Sequence, residues 1–298
     1  MTGKIVITGS ESFIGQELKD HCRAKGIGFL GLDTVPGSGA DYRQLDIRSA
    51  EVEQAIPEQA EALIHLAAIS RDQDCRRDLT TAFDVNVQGT INLIKAAQNR
   101  HVKQFIFASS EWVYGGVQPG VLQKEDDPVD ITRMTSEYAI TKILGERLLA
   151  LTHQRGLCPV TVLRFGIVYG PRAKPGNFLE GLFNEVRTLD TIDVKGSLES
   201  GRRFVHVSDI SEGILSALGR PGYEVINLTG DTVVTMREII QTSARLLGRN
   251  PRVMESDPKA INLRNPDNSK ARNLLGWQPK IGLEQGLTTL RAFHEGGK

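Results

Sequence analysis

The sequence predicts an α/β protein built on a doubly wound parallel sheet, with a smaller α/β lobe interleaved with it toward the C-terminus. Three observations predict this. Short apolar runs recur about 25–40 residues apart, with amphipathic helical stretches between them, which is the pattern of βαβ units. The runs are β-branched and nearly continuous, as strands covered on both faces require. The first run leads directly into a glycine turn and a helix start.

Taken in order, Lys4–Thr8 reads as a strand and Phe13–Lys25 as a helix ending at Gly26. Gly28–Leu32 reads as a second strand, stopped by Asp33. Ala62–Leu66 is the next strand, followed by one long helix over Thr81–Gln98. Gln104–Ala108 is a strand, Ser136–His153 a helix and Val160–Arg164 a strand. After Arg164 the pattern loosens: Gly170-Pro171, Lys174-Pro175-Gly176 and Gly196–Gly201 are loop chemistry. Phe204–Val207 and Glu224–Leu228 then read as strands, and Thr235–Leu247 and Asn268–Leu275 as helices. These assignments put 1–165 and 202–230 in the sheet domain, and 166–201 and 231–298 in the smaller lobe.

A chain of 298 residues is long enough to bury its core without disulfides or metals. Lys and Arg number 36 and so do Asp and Glu, giving zero formal net charge. That excludes a nucleic acid or anionic membrane held by bulk positive field, and leaves room for a local anion site. Cys22, Cys75 and Cys158 have no metal-ligand spacing, and three sparse thiols suit a reducing cytoplasm. No run of about 18 apolar residues is present to span a membrane.

The glycine turn carries the first functional signal. In Thr8-Gly9-Ser10-Glu11-Ser12-Phe13-Ile14-Gly15, strand, tight turn and helix start aim backbone N–H groups and a helix dipole at one point. A pyrophosphate fits there. Gly9 permits the turn and Gly15 lets the helix pack on the strand, the arrangement of a Rossmann-type dinucleotide site. About 18 residues beyond Gly15, Asp33 ends the second strand, where a carboxylate accepts ribose hydroxyls and repels a 2′-phosphate. No Arg or Lys lies in residues 34–40 to receive that phosphate, so NAD is favoured over NADP.

Tyr138 and Lys142 form the second signal, at i and i+4 on one helix face. A free phenol has a pKa of about 10, and one adjacent cation lowers an acid by about 1–3 units. Lys142 alone is marginal; with an oxidised nicotinamide ring beside it, Tyr138 becomes a usable base near neutrality.

With these residues in view, the chain resembles the extended short-chain dehydrogenase/reductases, in the branch of NAD-dependent, nucleotide-sugar-modifying epimerases and dehydratases. The turn resembles that family's Thr-Gly-x-x-Gly-x-x-Gly, with Ser12 in place of the middle glycine. The resemblance implies cofactor contacts at Gly9, Ser12, Phe13, Ile14, Gly15 and Asp33. It adds the adenine-edge pair Asp46 and Ile47, the strand motif His65-Leu66-Ala67-Ala68, the helix motif around Asn86, and Ser109. Ser110 takes the slot of the catalytic serine, four residues before Tyr114. By the same resemblance Tyr138 is the general base on a sugar hydroxyl, Lys142 holds the nicotinamide ribose, and Ser110 holds the reacting oxygen. Glu111, Trp112, Arg172, Asn177, Arg202 and Arg264 are the expected substrate residues, Arg202 and Arg264 gripping a diphosphate. No metal is expected. A homodimer through the helices Thr81–Gln98 and Ser136–His153 is implied.

The departures from the family pattern discriminate among its reactions. Members that eliminate water or decarboxylate place a Glu two residues before the strand tyrosine; Trp112 occupies that slot. Ile167 stands where many members carry an Asn, and Met134 where a Pro often precedes the tyrosine. These features favour a 4-epimerase of a UDP-hexose-like nucleotide sugar, acting through a 4-keto intermediate. The alternatives are an NAD-dependent dehydrogenase or ketoreductase of a sugar, a dehydratase or decarboxylase, and a non-catalytic NAD-sensing protein.

Overall fold

A computed structural model describes residues 4–115 and 120–296. Their Cα atoms group into two compact units. The first takes the described residues of Met1–Gly116, Pro128–Arg164 and Ser211–Ile226; the second takes those of Val117–Asp127, Phe165–Ile210 and Asn227–Lys298. The first unit therefore holds the first 100 or so residues uninterrupted, and later segments alternate between the two. Relative to the expected division, residues 120–127, 165, 202–210 and 227–230 group with the second unit.

The first unit is built on strands β1 (Ile5–Thr8), β2 (Phe29–Asp33), β3 (Tyr42–Gln44), β4 (Ala62–His65), β5 (Phe105–Ser110) and β6 (Val160–Phe165). With the later strand Tyr223–Leu228 they form a seven-stranded sheet in the order Tyr223–Leu228, β6, β5, β4, β1, β2, β3. The pairs β3–β2, β2–β1, β1–β4 and β4–β5 run parallel. The chain moves outward from β1 through β2 to β3, then returns to lay β4 on the other side of β1. This reversal leaves a crevice at the carboxyl ends of β1 and β4, where open parallel sheets bind ligands. Every residue of β1, β4, β5 and β6 is buried, which explains their unbroken apolar runs.

Among the described residues this unit holds helices α1 (Phe13–Ala24), α2 (Val52–Ala55), α3 (Asp72–Arg77), α4 (Leu79–Phe83), α5 (Gly89–Asn99) and α6 (Glu137–Gln154), with the greater part of the helix Val207–Ser216. The expected single helix over Thr81–Gln98 is present as one uninterrupted helical run from Leu79 to Asn99, with a π-helical turn inside it. Asp78 caps α4 by accepting from the Thr81 N–H at 3.0 Å, and a π-helical turn over Asp84–Gln88 precedes α5. That turn brings the buried Asn86 side chain to the backbone of Ile69, accepting from its N–H at 2.8 Å and donating to its carbonyl at 3.0 Å. Such turns in a helix commonly mark functional positions. Helix α6 starts where expected, with Ser136 as its cap accepting from Ala139 N–H at 3.2 Å.

The second unit is assembled from small strand pairs. Ile167–Tyr169 pairs in parallel with Phe204–His206, and Thr191–Val194 with Arg252–Glu255; Gly201–Arg202 pairs antiparallel with Val234–Thr235. Helices Phe178–Thr188, Met236–Leu247 and Leu283–Glu295 close a core around Phe183, Val186, Ile239 and Leu287. Each such fully buried apolar side chain contributes about 1.5–3 kcal/mol.

Candidate active site

The turn after β1 has the backbone its glycines predict. Gly9 has φ +71°, and a Cβ there would lie 2.7 Å from the Ala67 nitrogen. A Cβ on Gly15 would lie 2.2 Å from the Gly9 carbonyl oxygen. Neither position accepts a side chain, so the turn can sit against β4 only with glycine at both. Ser12, by contrast, has φ −68°, where a side chain is unstrained. Its hydroxyl accepts from the Gly15 N–H at 3.1 Å and caps α1, whose first turn carries no acidic residue. The positive end of the helix dipole is left for an external anion. Leu66 N–H donates to the Thr8 carbonyl at 3.1 Å and Ala67 N–H to the Thr8 hydroxyl at 3.4 Å, fixing the β4 end against the turn.

Beside it lies a cavity of about 220 Å³ lined by Asp33, Asp46, Ile47, Arg48, Ala67 and Ala68, among others. Asp33 is pinned by two backbone N–H groups, from Glu11 at 2.9 Å and Val35 at 3.2 Å, each carboxylate oxygen taking one. Asp46 is gripped by Arg48, with Nε at 3.0–3.1 Å from both oxygens and Nη2 2.6 Å from Oδ2. That hydrogen bonding holds the Asp46 carboxyl below its ordinary range. The cation on the cavity wall is Arg48, which lies beyond the stretch 34–40. A glycine cradle that a Cβ would fill, a helix N-terminus, and an adjoining cavity edged by Asp33 fit a dinucleotide.

A buried chain of hydrogen bonds ties this turn to α6. The Thr90 hydroxyl donates to the Asn86 carbonyl at 2.6 Å, so His65 Nε2–H donates to Thr90 at 3.0 Å. His65 Nδ1 then accepts from the Thr8 hydroxyl at 2.9 Å. Burial first, and the charge of Lys142 second, push the His65 pKa well below the ordinary range, so the ring is neutral. Asn86 also donates to Thr141 at 3.1 Å, and Thr141 to the Tyr138 carbonyl at 2.7 Å.

On α6, Lys142 is buried with its Nζ 4.8 Å from the Phe107 ring centroid and 5.7 Å from that of Tyr138. Burial pulls its ammonium down to about 8, against the opposing pull of Glu146. Tyr138 is half-buried near Ser110, which caps the short helical turn Glu111–Tyr114 at the end of β5. Burial and the nearby Cys75 thiol push the phenol well above its ordinary range, with the Ser110 hydrogen bond opposing. In the protein alone, burial therefore outweighs the lowering expected from Lys142.

The expected substrate residues divide sharply. Glu111 is buried at 1% exposure beside Ser110, unlike a solvated loop carboxylate. Trp112 is half-buried, and its N–H donates to the Ser110 hydroxyl at 3.3 Å. In the second unit, Arg172 forks onto the buried Glu180, with Nε–Oε2 and Nη2–Oε1 both at 2.7 Å. Asn177 caps the following helix and donates to the Val168 carbonyl at 2.9 Å and to Glu180 at 3.1 Å. Both side chains are thus engaged in the loop's own structure. Arg202 folds back onto the Gly201 and Asn262 carbonyls at 2.7 and 2.8 Å. Arg264 is half-buried, and its N–H donates to the Gly201 carbonyl at 3.3 Å.

Two residues of the first unit escaped the sequence reading as site residues. Glu146 accepts from Ser109 at 2.5 Å and binds Arg164 in bidentate fashion, at 3.0 and 2.7 Å. The available signal was a charged residue inside the apolar strand Val160–Phe165, which demands a buried partner. Among the described residues no cluster of metal-ligating side chains occurs, and no helix is long and apolar enough to cross a membrane.

The model of the NAD dependent epimerase/dehydratase family matches residues 5–229. A UDP-glucuronate 4-epimerase of Thermodesulfobacterium geofontis is 29% identical over 309 residues, covering 96% of this chain and 94% of that protein. A UDP-N-acetyl-alpha-D-glucosaminuronate decarboxylase of Bacillus cytotoxicus is 27% identical, covering 99% of each. The solved structure of MoeE5 in complex with UDP-glucuronic acid and NAD superposes with a TM-score of 0.88 at 26% identity, over 98% of this chain and 99% of that one.

Proposed function

We propose that this chain, which belongs to the NAD dependent epimerase/dehydratase family, is a 4-epimerase of a UDP-hexose or UDP-hexuronic acid. Its cofactor is NAD. The N-terminus of α1 receives the pyrophosphate, and Asp33 receives hydroxyls of the adenosine ribose, with Ile47 and Ala68 beside the adenosine. Bound there, NAD would supply reversible hydride chemistry at sugar C4. Tyr138 takes the proton of the 4-hydroxyl, Ser110 holds the same oxygen by hydrogen bond, and Lys142 binds the nicotinamide ribose and supplies positive charge to the phenol.

A single observation carries the choice of reaction. The turn that follows Ser110 presents Trp112, not a carboxylate, in the slot two residues before Tyr114. Eliminating water or losing carbon dioxide requires an acid–base group that this slot lacks, whereas epimerisation needs only the Tyr138–Ser110–Lys142 set and a keto-sugar that turns over. The buried Glu111 favours a second reading, a dehydratase or decarboxylase in which that carboxyl moves the proton.

The test is product analysis by NMR after incubating the purified protein with UDP-glucose or UDP-glucuronic acid without added cofactor. The expected product is the C4 epimer, together with stoichiometric NAD released on denaturation. Release of carbon dioxide, or accumulation of a dehydrated keto-sugar, overturns the epimerase reading in favour of the Glu111 chemistry.

A further inference from the structure

Glu146 lies one helical turn beyond Lys142, which itself lies one turn beyond Tyr138, so the three side chains descend one face of α6. Its carboxylate and the Arg164 guanidinium are each 4% exposed. Oε1 takes Ser109 Oγ–H at 2.5 Å and Arg164 Nε at 3.0 Å, and Oε2 takes Arg164 Nη2 at 2.7 Å. Its backbone carbonyl accepts from the Tyr223 hydroxyl at 3.2 Å. One residue thus joins α6 to β5, to β6 and to the strand beyond.

A buried ion pair is weak evidence for stability, because well-packed apolar residues often serve as well. Its position here is more informative than its existence. Ser109 is the neighbour of Ser110, so the Glu146–Ser109 hydrogen bond sets the height of α6 against the strand that presents Ser110. The carboxylate is also the principal negative charge near Lys142. The groups that face Lys142 are Tyr138 and Glu146 on its own helix, Cys75 on α3 and His65 on β4, with the Phe107 ring on β5 beneath its Nζ. On β6, Arg164 reaches this group through Glu146 and lies with its guanidinium carbon 4.9 Å from the Tyr114 ring centroid. His65 is neutral, and Cys75 is a buried thiol raised above its ordinary range.

We infer that Glu146 is a positioning residue for the proposed reaction: its carboxylate registers α6 on the serine strand through Ser109 and Arg164, and keeps Lys142 a cation against Tyr138. This rests on the reading of Tyr138 and Lys142 given above. Burial alone drives Lys142 toward the neutral amine; Glu146 is the first of the groups that oppose it. A neutral Lys142 would supply no charge to the phenol.

The test replaces the charge while keeping the acceptor, as Glu146→Gln. In that protein, free of NAD, NMR titration of isotope-labelled lysine side chains should show Lys142 losing its proton at lower pH than in the wild type, by about one unit. The alkaline limb of kcat/KM should move down with it. Ser109→Ala, which removes the hydrogen bond and keeps the charge, should lower kcat without moving either titration. Should Glu146→Gln fail to fold, the neutral pair Glu146→Gln with Arg164→Met restores a buried polar–apolar match and should still show the lowered Lys142 titration. A Lys142 titration unmoved in a folded variant of either kind overturns the inference. Unimpaired turnover in Tyr138→Phe overturns the parent reading instead, so the two failures are distinguishable.

Discussion

The turn after β1 was expected to bind a pyrophosphate, and Arg172, Arg202 and Arg264 of the second unit a substrate, the last two by its diphosphate; the structure treats turn and arginines differently. At the turn, the groups proposed to bind are backbone N–H groups whose direction follows from glycine geometry, and Gly9 and Gly15 sit where no side chain fits. In the loops the binding groups are long side chains. Arg172 is taken by Glu180 eight residues on, and Arg202 by neighbouring carbonyls. A guanidinium fork binds any carboxylate or carbonyl that its reach allows, so an arginine in a motif names a charge and not its partner. A motif made of backbone is therefore more legible than one made of flexible cations.

Four experiments break or sharpen that contrast. The largest effect is expected from Tyr138→Phe, which removes the proton acceptor and should lower kcat by about 10²–10⁴-fold while NAD content on denaturation stays at the wild-type level. Next is Gly15→Val. With a Cβ position 2.2 Å from the Gly9 oxygen, the turn has no room to yield, and bound NAD should be lost from any folded protein, read as nucleotide released on denaturation. Retention of NAD would mean that the turn is not the pyrophosphate site.

Arg172→Ala and Arg202→Ala test the second unit against each other. Arg172→Ala leaves the buried Glu180 without its fork and should lower stability by about 3 kcal/mol in urea unfolding. Arg202→Ala loses hydrogen bonds to carbonyls at a partly exposed site and should cost less than about 1 kcal/mol. Its effect should fall on substrate KM, and an unchanged KM would remove it from the diphosphate site.

The smallest effect concerns pH. His206 Nδ1 accepts from Ser208 N–H at 3.3 Å and its Nε2 bonds Thr289 at 3.2 Å. Burial lowers its pKa to about 4. The unfolded ring, with a pKa of about 6.5, binds a proton first as pH falls, so this contribution is full above about 6.5 and is lost on the way down to about 4. The urea midpoint should decline over that window, and His206→Gln should flatten part of the decline. His65 and His294, both lowered chiefly by burial, act with the same sign.

Much of the first unit was legible in the sequence because its strands are buried on both faces and its turns are punctuated by glycine. Strand β3 was not, because Tyr42-Arg43-Gln44 is a three-residue polar edge with no apolar run to announce it. The helix over Thr81–Gln98 was legible, but not the π turn within it, since that turn answers to the contact of Asn86 with Ile69. The terminal helix Leu283–Glu295 went unread, its apolar face being sparse and its partners lying in other segments. At the site, the glycines, Asp33, Tyr138 and Lys142 were readable as spacing, and Ser110 through the family resemblance. The Glu146–Arg164 pair was legible only by half: Arg164 inside an apolar strand announces a buried partner, but with the two residues 18 apart nothing local names Glu146.

The central claim, a C4 epimerisation with internal return of hydrogen, is tested most directly by a UDP-sugar carrying deuterium at C4. The account predicts that the epimer formed keeps the label at C4 in water, with no exchange into solvent and no need for added NAD. Product without the label at C4, or label found on nucleotide released to solution, would contradict it.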